Sequence, residues 1–274
     1  MQKKLTINVL AESAVLIALG TVLSLIKLAD LPYGGSITMV SMLPLLLIAY
    51  RHGMPWGFAC GAIYGAVQQL LGLKNLSYFT TPGSIVAIIV FDYLLAFAVI
   101  GIGGIGRRSK NQPVALCCGA FLAGLLRYIC HVISGATVWA GISIPTKAAL
   151  LYSFVYNATY MLPETIILCL AAYYVGQVLD FSKPIPERSK KVTAGPAAAL
   201  RLGGVGLVVA ALIYDVVAVF SVLQNGETGE FDIAALGTQK IYFYITMVVI
   251  SVLAVAVALF LWLLANKKKA SEGK

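Results

Sequence analysis

The sequence predicts an all-α integral membrane protein, with six spanning helices followed by two additional C-terminal transmembrane helices. Three observations predict it. Of the 274 residues, 60% are hydrophobic and 11% are charged, against about 25% charged in a soluble globular domain. The mean hydropathy is +0.90. The apolar residues gather in runs that reach the roughly 20 residues a bilayer crossing needs. So few charges cannot cover a water-facing surface, which excludes a soluble enzyme. The long apolar runs exclude a disordered chain.

The spans fall at residues 7–28, 37–50, 54–73, 83–105, 113–137, 148–178, 202–223 and 241–265. The second contains Pro44. It would measure only about 21 Å as helix, so tilt or an interfacial position is expected of it. Orientation follows from Lys and Arg. With the N-terminus inside, 15 of them fall in cytoplasmic segments and four (Lys27, Lys74, Lys147, Lys240) outside, with Arg127 left within a span. Both termini are therefore expected in the cytoplasm. The first apolar run is too long for a cleaved leader, and no small-residue cleavage motif follows it.

Residues 183–198 are basic and carry Pro184, Pro186 and Pro196. They read as a cytoplasmic linker between a six-span unit, 1–182, and a two-span appendix, 199–274, with a basic tail. The net charge of +9 resides in loops rather than on one face, so nucleic acid is not an expected partner. The five cysteines (Cys60, Cys117, Cys118, Cys130, Cys169) lie inside apolar stretches without a CxxC. Structural thiols are expected, not disulfides or metal ligands.

Several motifs carry no chemistry here. Gly101, Gly103 and Gly106 satisfy G-x-G-x-x-G at the end of a span, without the preceding strand that dinucleotide binding requires. No phosphate-binding G-x-x-x-x-G-K-[ST] occurs, so ATP would have to be hydrolysed by another protein. HExxH and metal-ligating acidic clusters are absent from the sequence, and no cofactor is expected. Gly53, Gly57, Gly61 and Gly65 make one face of the third span bare backbone, a packing pattern. Ala14 and Ala18 form a shorter small-residue pair.

Ionisable groups inside a bilayer cost about 2.5–3.5 kcal/mol each on insertion scales, and so need a reason. They are Glu12, Asp92, Arg127, His131, Glu164 and Asp215. Counting at 1.5 Å per residue from the outer ends places Asp92 about 13 Å deep, His131 about 9 Å, Arg127 about 15 Å, Tyr152 about 6 Å and Asn157 about 14 Å. Asp92, His131, Tyr152 and Asn157 thus meet in one outer layer, rimmed by Tyr93, Trp139 and Tyr156. Asp92 also has a structural reading, as the partner that neutralises Arg127. A carboxylate, an imidazole, an amide and aromatic faces together suit a small cationic or heteroaromatic ligand.

At these residues the sequence resembles the thiamine-specific substrate-binding (S) components of energy-coupling factor vitamin transporters. The matching pieces run in order over residues 5–182: Leu31-Pro32-Tyr33-Gly34-Gly35-Ser36, Phe91-Asp92-Tyr93, Arg127-Tyr128-Ile129-Cys130-His131, Ser134-Gly135, Trp139, Tyr152-Ser153 and Tyr156-Asn157. The resemblance implies a six-helix S-component bundle that binds thiamine near its outer face. It implies that Asp92, Tyr93, His131, Gly135, Trp139, Tyr152 and Asn157 are pocket residues, with Tyr78 and Gly35 contributed by loops. Asp92 stands where relatives usually have Glu, and Gly35 where some have Trp. It also implies that Ala14 and Ala18 dock on a transmembrane coupling (T) subunit, which works with two ATPase subunits. Asp92 would hold the cationic part of the ligand, while Trp139 and Tyr93 would stack on it. His131, Tyr152 and Asn157 would hydrogen-bond its ring edges. Other readings stay open at this stage. One is an S component for another heteroaromatic vitamin or a thiamine precursor. Another is a proton-coupled secondary transporter using Asp92, Arg127 and His131 as a relay. A membrane enzyme lacks a catalytic constellation.

Overall fold

A computed structural model of the chain describes residues 6–31, 34–78, 81–141, 146–189, 196–223, 235 and 238–272. They divide into two compact units, 1–189 and 190–274.

In the first unit α1 covers Ile7–Leu25. The chain then forms an antiparallel hairpin of β1, Lys27–Asp30, and β2, Ser36–Thr38. Gly34 has φ 97°, a left-handed value that glycine adopts without steric cost. The hairpin corrects the expected second span. Ile37 sits in the middle of a strand, not at the start of a helix, because residues 36–38 pair with residues 27–30. The helix α2 begins only at Leu43 and ends at His52. Pro44 sits in its first turn, where the missing N–H has no helical partner to lose. Ten residues make about 15 Å of helix, half of a bilayer core.

Next come α3, Met54–Leu71, and α4, which runs over Pro82–Gly104 but changes its winding. It starts as α-helix, widens into a π-helix over Ile88–Leu95 and tightens into a 3-10 turn over Val99–Gly104. The glycine stripe of α3 accommodates this irregular backbone. Cβ atoms on Gly61 and Gly65 would lie 2.3 and 2.4 Å from the carbonyl oxygens of Phe97 and Tyr93, so only glycine permits the approach. Two long helices complete the unit: α5, Gln112–Gly141, and α6, Thr146–Val178. A short hairpin follows, with β3 at Leu179–Asp180 and β4 at Glu187–Arg188. It takes in part of the expected linker; residues 190–195 lie outside the described residues.

The core lies where α2, α3, α4, α5 and α6 meet, around Leu45, Leu46, Tyr64, Phe97, Ile100, Leu116 and Leu168. The outward faces are apolar too. On α1, Leu10, Val15, Leu19 and Val22 are all exposed, which suits a lipid-facing helix. Its inner face binds α3 through a polar ladder. Trp56 Nε1 donates to Ser13 Oγ (2.9 Å), Tyr64 Oη to the Gly20 carbonyl (3.2 Å) and Gln68 Nε2 to Ser24 Oγ (3.0 Å).

The second unit is a pair of helices, α7 at Pro196–Leu223 and α8 at Ile241–Glu272. They run antiparallel: Arg201 bonds Asn266 (2.7 Å), Gly204 lies against Ala258, and Asp215 accepts from Ser251 Oγ (2.6 Å). Among the described residues, six helices are long and apolar enough to cross a membrane: α1, α4, α5, α6, α7 and α8. Eight spans were expected. The two that differ are α2, which is short, and α3, which carries Gln68 and Gln69 beside its glycines.

Candidate functional site

Asp92 lies in the middle of the π-helical stretch of α4, and π-helical turns occur mostly as single insertions, often at functional positions. Its Oδ1 is 2.9 Å from His131 Nδ1 on α5. Residue spacing along the two spans puts both in one layer, and they are in direct contact. The carboxylate fixes the imidazole with Nδ1 as donor, leaving Nε2 as the ring atom with hydrogen-bonding capacity to spare. Nε2 is buried and has no hydrogen-bond partner among the described residues. The His131 ring is held edge-on against Tyr160, with centroids 6.1 Å apart.

Asn157 is within the same network. Its Nδ2 donates to the carbonyls of Ser153 (2.8 Å) and His131 (3.2 Å) and lies 3.1 Å from Ser153 Oγ. Its Oδ1 accepts from Tyr160 Oη at 2.6 Å. Both ends of the amide are therefore engaged by protein, and the residue locks α6 to the α5 turn that carries His131. Gly135 serves the same contact. A Cβ there would come within 2.3 Å of Ser153 Oγ, which donates to the Val132 carbonyl at 2.8 Å.

Three tyrosines on one face of α6 form a wall. Tyr152 and Tyr156 stack with planes 8° apart and centroids 6.3 Å apart, and Tyr160 meets Tyr156 edge-on at 5.7 Å. The hairpin loop rests on this wall. The Gly35 N–H donates to Tyr156 Oη at 3.1 Å, and a Cβ on Gly35 would stand 2.8 Å from that oxygen. Tyr93 points elsewhere, toward α3. Its hydroxyl lies 2.4 Å from where a Cβ on Gly72 would be, and its ring packs against the core. Trp139 belongs to α5 and Tyr78 to a 3-10 turn at Leu73–Tyr78, but both side chains lie outside the described residues.

Arg127 does not pair with Asp92. Its Nη1 is 2.9 Å from Glu164 Oε2, and the guanidinium sits 4.6 Å from the centre of the Phe97 ring. Glu164 Oε1 accepts from Thr38 Oγ1 at 2.7 Å. The amino-acid sequence marks Glu164 as an intramembrane acid but carries no sign of its pairing with Arg127 or of Thr38. The proton relay of Asp92, Arg127 and His131 is likewise not assembled, because Arg127 is engaged one layer below. Exposure separates the two acids: the Asp92 side chain keeps 29% and the Glu164 side chain 3%. Asp92 is thus the acid a ligand can reach.

A helical membrane unit with a reachable carboxylate, a buried imidazole nitrogen still able to bond and an aromatic wall defines a membrane protein that binds a small polar solute. A family model described as "Thiamine transporter protein" matches residues 10–180, and the chain belongs to that family. It is a thiamine-binding uptake protein of the S-component type, not an enzyme. One curated relative, the thiamine transporter ThiT of Bacillus subtilis, is 33% identical over 190 residues, covering 64% of this chain and 95% of the relative. Among solved structures, ThiT from Listeria monocytogenes matches with a TM-score of 0.50 at 24% identity, covering 61% of this chain and 92% of that one. That likeness supports the fold. The family match stops at residue 180, before α7 and α8 begin.

Proposed function

We propose that this chain captures thiamine from outside the cell at the Asp92–His131 pair, and that an ATP-driven coupling module then releases it inside. The observation that carries the site is the 2.9 Å contact between a reachable acid and a histidine whose second nitrogen is buried without a partner. Thiamine joins a thiazolium cation to an aminopyrimidine, and the site offers a match for each. The Asp92 carboxylate attracts the cation, and His131 Nε2 bonds a ring-edge group. The Tyr152–Tyr156 wall and the Trp139 side of α5 supply faces for flat rings. Gly35 brings the hairpin loop over the tyrosines; Tyr78 is a further contact on the resemblance alone, and Tyr93, turned toward α3, supports the packing of α4 beside Asp92. Gly135 and Asn157 hold α5 and α6 at the spacing the ligand needs.

The partners are a transmembrane coupling subunit and two ATPase subunits, and both termini lie in the cytoplasm. The absence of a phosphate-binding loop in this sequence and the strong Lys and Arg asymmetry support that arrangement. Residues 1–182 are the binding bundle, 183–198 the linker and 199–274 an appendix. The test is titration of the purified chain with thiamine, followed by tryptophan fluorescence and by calorimetry. Wild type is expected to saturate, and Asp92→Asn to bind at least about tenfold more weakly, or about 1.4 kcal/mol. No saturable binding by wild type, or equal affinity in the variant, overturns the site.

A further inference from the structure

Two acids and two basic side chains meet near the centre of the first unit, and they pair in parallel. His131 Nδ1 bonds Asp92 Oδ1, and Arg127 Nη1 bonds Glu164 Oε2, each at 2.9 Å. The pairing is not forced by sequence position. Arg127 and His131 are four residues apart on α5 and share a face, so the guanidinium could also turn toward the Asp92 layer. Such a crossed pairing would set a permanent cation against the carboxylate that has to attract the ligand.

Glu164 prevents this. Both its oxygens are engaged, one by Arg127 and one by Thr38 Oγ1, which is itself 2.7 Å from Ser41 Oγ. The guanidinium is also cradled from below. Met42 Sδ lies 3.0 Å from Nη1, and the Phe97 ring takes its face. At 3% exposure, Glu164 is closed off from any ligand, so its charge acts only through Arg127. We propose that Glu164 is a positioning residue that sets the charge selectivity of the site. By neutralising and retaining Arg127, it leaves the Asp92 carboxylate uncompensated for a cationic ligand. This inference rests on the reading of the Asp92–His131 site given above.

The test compares two ligands of one shape: thiamine, and the neutral deazathiamine in which carbon replaces the charged ring nitrogen. The quantity read is the preference for the cation, taken as the ratio of the two dissociation constants in the purified full chain. Glu164→Gln keeps the shape of the side chain and releases Arg127, so the preference is expected to fall at least about tenfold through uncompensated repulsion. In Arg127→Gln/Glu164→Gln both charges are gone, and the preference is expected to return to within about threefold of wild type. A merely structural role would weaken both ligands alike and leave the ratio unmoved. If Glu164→Gln folds and its ratio stays within about threefold of wild type, the proposal is overturned. Where that variant does not fold, Arg127→Gln is read instead: it leaves an unbalanced acid and is expected to raise the ratio, and an unchanged ratio overturns the proposal. If wild type shows no preference, or Asp92→Asn keeps it, the site reading itself has failed, whatever Glu164 does.

Discussion

The Tyr160 hydroxyl donates to Asn157 Oδ1 at 2.6 Å, and that bond engages the last group of an amide whose nitrogen already faces two carbonyls. Asn157 therefore holds the frame of the site. Removing it as Asn157→Ala leaves the buried Tyr160 hydroxyl and the His131 carbonyl short of a partner, at a cost of about 1–3 kcal/mol. A lowered melting temperature of the purified protein checks this. Tyr160→Phe removes the other half of the bond, so the double variant is expected to cost less than the two single losses added, by about 1 kcal/mol.

Gly135 makes a second prediction about the same helix pair. A methyl there meets Ser153 Oγ at 2.3 Å, and that oxygen is tied to Val132. Gly135→Ala is expected to destabilise the protein by about 1–3 kcal/mol and to weaken thiamine binding as α5 and α6 move apart. Pairing it with Ser153→Ala removes the obstructing oxygen and should recover part of the melting temperature. Equal melting curves for wild type and Gly135→Ala would show that the helices are not that close.

Much of the site could be read from the sequence because depth along a helix is simple arithmetic. Asp92 and His131 were placed in one layer from counts along two spans, and their side chains do touch. The Arg127–Glu164 pair escaped because the count locates backbone only. A long guanidinium reaches across about a turn of helix to an acid at a different level. The β1–β2 hairpin escaped because Ile37 opens an apolar run that fits the start of a span. Gly34 and Gly35 were the available sign of a turn before it. The π-helical winding around Asp92 has no sequence signature of its own; the opposing glycines of α3 hint at a close approach but not at its consequence.

At the opposite end of the first unit, Glu12 of α1 accepts from Arg51 and lies 3.0 Å from His52 Nε2. His52 sits in the turn after the apolar part of α2. Burial lowers its pKa below the usual histidine value; the Glu12 carboxylate pulls upward without prevailing, and Arg51 and Arg107 add to the lowering. The folded protein thus binds its proton less readily than the unfolded chain. Its contribution to stability is present above about pH 6.5 and is lost as the pH falls through the lowered value. Melting temperature is expected to drop as the pH is taken below about 6.5, and His52→Gln to flatten that part of the profile. An identical slope in the variant would assign the pH dependence to other groups.

Ala14 and Ala18 lie exposed on α1, four residues apart and among exposed Leu10, Val15, Leu19 and Val22. The buried edge of the same helix, Ser13 and Gly20, is taken up by α3. The two alanines are thus free to receive another helix at close range, as small residues do in membranes. Substituting both with leucine fills the groove without touching Asp92, His131 or their neighbours. Thiamine affinity of the purified chain is expected to stay within about twofold of wild type. ATP-driven uptake by the chain with the proposed coupling module, measured in proteoliposomes, is expected to fall at least about tenfold. Co-purification with the coupling subunit should fall in parallel. Loss of binding together with uptake would instead place these residues in the fold of the bundle, and unchanged uptake would remove α1 from the docking surface.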